Sequence, residues 1–176
     1  DGVFTAMDKT VGGIEQCALH KVISELPADS VNIGVMVYNA SNVVDHLGVE
    51  CFKVEAARPG GCLVYPMSPM TEENKANLLA WIKSWKTSGS GAGYIKATSE
   101  ATGGSMQEAW AYLAGRQGLS GRNYGDNLLD DACNTYIIFI GNSFSSSGTP
   151  GDQTGDKGPR NPLEGTMAGA KVLMNA

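Results

Sequence analysis

An unbroken run of β-prone apolar residues extends from Tyr136 to Ile140 and ends at Gly141. The run is too short for a helix of usual length and has no polar face, so it predicts a strand buried on both faces. Such strands belong to parallel sheets that helices cover. In open α/β sheets the ligand crevice lies at the carboxyl ends of the strands, and we therefore expect functional residues around Asn142 and Ser143.

A helix and a strand are predicted near the start of the chain. Apolar residues recur at helical spacing between residues 14 and 26, and Pro27 follows at once, so the helix is expected to end at Leu26. Residues 31–38 then alternate between two faces and predict a second, mostly buried strand. Turn residues at 58–61 divide two short apolar stretches, which predicts a hairpin over residues 49–67 at the sheet edge.

Two further helices are predicted in the middle of the chain. Thr71 is a suitable N-cap, and the helix that it opens should run to about Lys86. A glycine-rich turn from Thr102 to Ser105 leads into a third helix closed by Gly115. The stripe expected to be buried on this third helix consists of Met106, Ala109, Trp110 and Leu113.

The order of these elements is helix, strand, hairpin, helix, helix and strand, which is typical of a doubly wound α/β domain. We expect one domain over residues 1–176, with a loop-rich segment at 144–162. Such a fold usually opens with a central strand, but residues 1–13 are too polar to supply it. Either the first strand precedes residue 1, the chain being part of a longer protein, or the sheet is unusual.

Composition narrows the class of protein. The 176 residues are 42% apolar and can bury one sizeable core, and no stretch of about twenty apolar residues offers a membrane span. A net charge of -5 argues against nucleic acid as a partner. The four cysteines allow two disulfides in three connectivities, and none forms a Cys-x-x-Cys pair. This favours an oxidising compartment, with buried free thiols as the alternative.

The sequence carries few groupings suited to catalysis. It lacks a Gly-x-Ser-x-Gly elbow and a phosphate-binding glycine loop, and only His20 and His46 could act as a base. Cys17 lies one helical turn before His20, but such a pair more often packs than reacts. We therefore predict that the chain is not an enzyme.

The remaining candidates are polar residues at the rim of the expected crevice. Thr102 and Ser105 precede the third helix, and Asn142 and Ser143 follow the central strand. Their oxygen atoms suit Mg²⁺ or Ca²⁺, but such sites usually include carboxylates and this rim has none. We therefore name no firm cofactor, and a divalent cation held by Ser105 and Asn142 would bind weakly.

Five stretches in this order resemble the von Willebrand factor A-like N-terminal domain of PilC-type tip adhesins of type IV pili. The resemblance covers residues 14–145, most of the chain. The five stretches are CALHKVIS at 17–24, NIGVMVYN at 32–39, YPMSPMTEENKANLL at 65–79, EAWAYLAG at 108–115 and CNTYIIFIGN at 133–142.

The resemblance implies a Rossmann-like von Willebrand factor A-type sheet and an extracellular place on the pilus of a Gram-negative bacterium. Domains of this fold often carry a metal-ion-dependent adhesion site built from three loops. The first loop, Asp-x-Ser-x-Ser, has no counterpart here. The threonine of the second falls on Ser105, or on Thr102 in another alignment, and the aspartate of the third falls on Asn142. An amide in place of that carboxylate implies a degenerate site.

An extracellular domain of this kind gains from disulfides, which harden it against shear and proteolysis. We predict that Cys51 pairs with Cys62 and staples the hairpin. We also predict that Cys17 pairs with Cys133 and ties the first helix to the start of the buried strand.

The resemblance favours a non-enzymatic binding domain of a pilus-associated adhesin. Its partner would be a protein or matrix ligand, recognised through the loops at the strand ends. The alternative is a structural or mechanosensing module that docks minor pilins or other pilus subunits and binds no host ligand.

Overall fold

The protein is a mixed α/β chain. The computed structural model describes residues 10–38, 45–47, 61–87, 95, 102–118, 120–126, 128–129, 134–138 and 140. The elements are α1 (Val11–Glu25), β1 (Asn32–Tyr38), β2 (Gly61–Pro69), α2 (Glu72–Lys83) and α3 (Thr102–Leu113).

The chain divides into two compact units whose segments alternate along the sequence. The first unit comprises residues 1–35, 42–51 and 63–98, and the second comprises residues 36–41, 52–62 and 99–176. The division does not test the single domain predicted over residues 1–176, which stays a prediction.

Residues next to helix α1 in the sequence set both of its ends. The Thr10 side chain accepts a hydrogen bond from the Gly13 N–H at 3.1 Å, which satisfies one of the free amides of the first turn. The helix ends at Glu25 with Leu26 as its C-cap in an extended conformation. Pro27 follows, and the residue before a proline is restricted to extended backbone. The predicted end of this helix is confirmed.

Strands β1 and β2 form a two-stranded antiparallel sheet. The Met70 N–H donates to the Val31 carbonyl at 3.0 Å, and Gly34 lies against the backbone of Met67. The residue numbers of facing positions therefore increase along one strand and decrease along the other, so the strands run in opposite directions. A Cβ on Gly34 would lie 3.1 Å from the Met67 nitrogen. The strand predicted at residues 31–38 is confirmed, but residues 33–37 are only half-buried, so the prediction that it is mostly buried was wrong.

The more buried strand is β2, whose first five residues all lie in the interior. It corresponds to the second strand of the predicted hairpin, but in the structure it pairs with β1. Most of the other half of that hairpin, residues 48–60, lies outside the described residues, so the hairpin itself stays a prediction.

Helix α2 provides much of the core of the first unit. Thr71 caps it as predicted, with its hydroxyl accepting from the Asn74 N–H at 3.1 Å. The helix ends at Lys83, three residues before the predicted end at Lys86, and Ser84 forms its C-cap. Burial of each large apolar side chain of this core contributes about 1.5–3 kcal/mol. The core residues are Ile23, Tyr65, Met70, Leu78 and Ile82.

Helices α1 and α2 cap each other through polar side chains. The buried Gln16 of α1 donates from Nε2 to the Ile82 carbonyl at 2.6 Å and to the Trp85 carbonyl at 3.2 Å. In return, Lys75 of α2 donates from Nζ to the Leu26 carbonyl at 2.6 Å. Carbonyls in the last turn of a helix have fewer donors available within the helix, and both side chains supply an additional donor there.

Helix α3 is present as predicted, but a different face is buried. Gly115 adopts a φ of 63°. Its N–H donates to Tyr112 and the Arg116 N–H donates to Ala111, which is a Schellman closure. Of the predicted buried stripe only Leu113 is buried, while Met106, Ala109 and Trp110 are half-buried. The buried residues of the helix are Ser105, Gln107, Glu108, Ala111 and Leu113.

The strand predicted at residues 136–140 is not formed. The described residues 134–138 and 140 have no regular secondary structure, and Tyr136, Ile138 and Ile140 are exposed to solvent. An unbroken apolar run cannot show whether a neighbouring layer covers it, and here three of the described side chains of the run are left exposed. The doubly wound sheet with strand one missing therefore stays a prediction, while the α/β class is established.

Among the described residues, no helix is both long enough and apolar enough to span a bilayer.

Candidate functional site

The second unit contains a small hairpin that follows α3. Gln117 and Asn123 form an antiparallel bridge, and the Gly118 N–H donates to the Arg122 carbonyl at 2.8 Å. The Gly121 N–H in turn donates to the Gly118 carbonyl at 3.0 Å. Gly121 has a φ of 84°, so the loop of this hairpin ends in a left-handed glycine, as is common in short hairpin loops.

The hairpin is held by Glu108, a carboxylate with no solvent exposure. Its Oε2 accepts from the Ser120 N–H at 2.8 Å, and its Oε1 accepts from the Ser120 hydroxyl at 2.5 Å and from the Tyr124 hydroxyl at 2.7 Å. A buried charge is costly unless hydrogen bonds satisfy it, and these three donors do so.

Close approach between the hairpin and α3 depends on Gly118. A Cβ at this position would overlap all three atoms of the Glu108 carboxyl group, and those atoms are fixed by their own hydrogen bonds. Next to Glu108, the Oε1 of Gln107 is buried without a hydrogen-bond partner. Glu108 itself is enclosed by protein groups, so it organises the loop and does not face a ligand.

The same cluster changes the pKa of the Tyr124 hydroxyl. Burial raises the pKa of Tyr124 well above its ordinary value of 10.0, and the nearby Glu108 carboxylate raises it further because it repels a phenolate and accepts the phenol proton. The Arg122 guanidinium, 5.4 Å from the centre of the Tyr124 ring, acts weakly in the opposite direction. Tyr124 is therefore a hydrogen-bond donor over the whole physiological pH range.

The two histidines considered as possible bases occupy structural positions in the first unit. The His46 Nδ1 lies 3.1 Å from the Val64 carbonyl, and its ring packs 4.8 Å from that of Tyr65 and 6.5 Å from that of Trp81. His20 lies on α1, half-buried.

The predicted binding residues are only partly visible. Thr102 is the first residue of α3, and Ser105, three residues on, is buried with 9% of its surface exposed. Asn142 and Ser143 lie outside the described residues, so whether the four come together stays a prediction. In the part of the chain that the structure describes, no group of three or more His, Cys, Asp or Glu residues is placed to hold a metal ion.

The cysteines correct one disulfide prediction. Cys17 is a half-buried free thiol on α1, so the predicted bond between Cys17 and Cys133 is not formed in the structure. Next to Cys17 on α1, the Gln16 side-chain amide donates a hydrogen bond to α2. Cys62 is buried and disulfide-bonded, with its partner outside the described residues. The pairing of Cys51 with Cys62 therefore stays a prediction.

The segment before Asn142 has an unusual surface. We define the apolar edge segment as residues 134–138 and 140. Tyr136 is 76% exposed, Ile138 83% and Ile140 49%, while Thr135 and Ile137 are half-buried. Contiguous exposed apolar side chains of this kind mark interaction sites more often than isolated ones do.

The sequence analysis located this segment but predicted that it is buried, whereas three of its apolar side chains are exposed. It did not predict the Glu108 cluster. A glutamate at position 108 gives no local signal of burial, because its three donors come from residues 120 and 124.

No protein-family model, curated protein or solved structure matches this chain.

Proposed function

We propose that this chain is a non-enzymatic binding domain of a cell-surface adhesin associated with type IV pili. It recognises a protein or matrix partner through the apolar edge segment and the loop that follows it at Asn142 and Ser143. The proposal includes an extracellular location and no required cofactor.

The observation that carries the proposal is the exposure of Tyr136, Ile138 and Ile140 along one short segment. Exposed apolar surface costs free energy in water, and covering it with a partner recovers about 25 cal/mol for each Å² buried. The segment contains no charged residue, so a partner would not have to displace strongly bound water from an ionic group.

A second support is the resemblance of five ordered stretches to the N-terminal domain of PilC-type tip adhesins. One of these stretches, residues 133–142, contains the apolar edge segment. A third support is the hairpin held by Glu108, which gives the second unit an internally satisfied polar cluster.

The test is a binding measurement with the purified 176-residue chain. A fluorescent derivative is applied to fibronectin-coated surfaces, to cultured epithelial cells and to isolated type IV pili. We expect saturable binding to at least one surface, and Ile138→Ser should weaken it about tenfold or more through loss of a buried side chain.

The matched control is Ile14→Ser on α1. Ile14 is 63% exposed, so this variant makes the same chemical change at another exposed isoleucine, in the first unit. It should bind as the wild type does. Equal binding by all three proteins, or binding to none of the surfaces, would contradict the proposal. Binding to pili alone would favour the structural alternative, a module that docks other pilus subunits.

A further inference from the structure

The apolar edge segment has the side-chain pattern of one strand of a sheet. Residues 134, 136 and 138 are exposed, whereas 135 and 137 are half-buried, and this alternation has the period of two that an extended chain produces. Tyr, Ile and Thr are also residues that favour strands. The segment is thus shaped for a sheet, although the structure assigns it to none.

Its backbone is available for pairing. No hydrogen bond is recorded for the backbone of residues 134–138 and 140 within the part of the chain that the structure describes. Unpaired N–H and C=O groups in an extended chain act as a template on which another strand can add. A helix or a flat apolar surface would cover the side chains but leave these groups without protein partners.

We propose that the apolar edge segment binds an extended, uncharged peptide segment of a partner protein as an added β-strand. This inference rests on the proposed function and names the kind of partner that the site accepts. The backbone of the partner pairs with residues 134–138, and its alternating β-branched side chains pack beside Tyr136 and Ile138. Because the segment is itself uncharged, a charged side chain in the middle of the partner strand would lose water without gaining an ionic partner.

The probe is a labelled peptide of alternating valine and threonine with a lysine at each end for solubility. Its binding to the 176-residue chain is followed by fluorescence anisotropy. Two further peptides of the same sequence carry N-methyl groups on one or the other set of alternate residues, so each lacks the N–H donors along one edge but keeps every side chain. We expect the first peptide to bind and each N-methylated form that blocks the pairing edge to bind about tenfold more weakly or worse.

Two protein variants accompany the peptides. Ile138→Ser should weaken binding of the unmodified peptide, and Ile14→Ser should not. The folded state of each is checked by far-ultraviolet circular dichroism and by its urea midpoint. Because Ile138 is exposed, its replacement removes contacts with the peptide and no core packing.

The outcomes separate this inference from the proposed function. Binding that resists N-methylation on either edge would overturn strand addition, because side chains alone would then suffice. Failure of the peptides to bind a chain that still binds pili, matrix or cells would overturn it too, while leaving the proposed function in place. If the chain binds neither the peptides nor any of those surfaces, both are overturned.

Discussion

At the scale of single residues, Glu108 holds the hairpin of the second unit through hydrogen bonds. Its carboxylate is fully buried, and three donors from residues 120 and 124 surround it. A hydrogen bond to a charged group is about twice as strong as one between neutral groups, and the loss of any buried partner leaves the others unsatisfied. The hairpin after α3 is therefore expected to depend on this one side chain.

Glu108→Gln should lower the free energy of unfolding by about 1–3 kcal/mol. The amide keeps the size of the side chain but turns one acceptor into a donor, which then faces the donors of Ser120 or Tyr124. Urea unfolding at neutral pH measures the change. Glu25→Gln is the matched control, since Glu25 is exposed and pairs with Lys21 on the surface, and it should change stability by less than about 0.5 kcal/mol.

Tyr124 makes the stability of the protein sensitive to alkaline pH. Its pKa is raised in the folded state by burial and by Glu108, so the folded chain keeps the phenol proton after the unfolded chain has lost it. The unfolded state then binds fewer protons, and the free energy of unfolding falls as the pH rises. This contribution is complete below about pH 10, the ordinary tyrosine value, and decreases above it.

Tyr124→Phe should be less stable than the wild type at about pH 8, because the hydrogen bond to Glu108 is lost. Above about pH 10 the difference should shrink by about 1 kcal/mol or less for each pH unit, allowing for solvent at the partly buried ring. Urea unfolding at several pH values measures both. Tyr136→Phe, which removes an exposed hydroxyl, should keep the alkaline slope of the wild type, and a constant difference for Tyr124→Phe would contradict the assignment.

At the scale of elements, α1 and α2 are joined by more than apolar contact. Gln16 bonds to carbonyls at the end of α2, and Lys75 bonds to the carbonyl of Leu26 after the end of α1. Each helix thus supplies a side-chain donor to backbone carbonyls at the end of the other. The apolar residues around Ile23, Leu78 and Ile82 bring the helices together, and the two donors fix how far one helix can slide along the other.

Gln16→Ala should destabilise the protein by about 1–3 kcal/mol, since it removes the buried amide that donates to the Ile82 and Trp85 carbonyls and opens a space between the helices. Thermal or urea unfolding provides the measurement. Gln117→Ala is the control, because Gln117 also donates to a backbone carbonyl, that of Gly121, but at an exposed site where water can replace it. Similar losses for the two variants would show that burial of the Gln16 amide does not matter.

At the scale of the whole molecule, the oxidation state of each cysteine shows whether a disulfide links it to a distant part of the chain. Cys17 is a free thiol, whereas Cys62 is buried and oxidised. A cross-link to Cys62 limits the unfolded chain and stabilises the folded one by about 2–4 kcal/mol in typical cases.

Alkylation of the folded protein without reductant should label Cys17, and Cys62 should be labelled only after reduction and unfolding. A non-reducing peptide map should then join the Cys62 peptide to the Cys51 peptide, as the sequence predicts for the hairpin. A Cys133 partner for Cys62 would overturn the hairpin pairing. A bond between Cys17 and any other cysteine would contradict the structure.

The sequence alone determined the features that depend on neighbouring residues. The end of α1 before Pro27, the capping of α2 by Thr71 and the closure of α3 at Gly115 are each set within a few positions, and all three were predicted. The α/β class follows from the alternation of such elements. Local chemistry decides these features, because a cap or a breaker acts on the turn in which it lies.

Only the tertiary structure decided what each apolar or polar face meets. Tyr136, Ile138 and Ile140 were predicted to be buried and are exposed, while Glu108 was not predicted to be buried and is wholly enclosed. The free thiol of Cys17 is a third example. Burial and pairing depend on residues far away in the sequence, and neither periodicity nor composition specifies which distant groups will arrive. The sequence therefore determines the elements, and their packing determines the site.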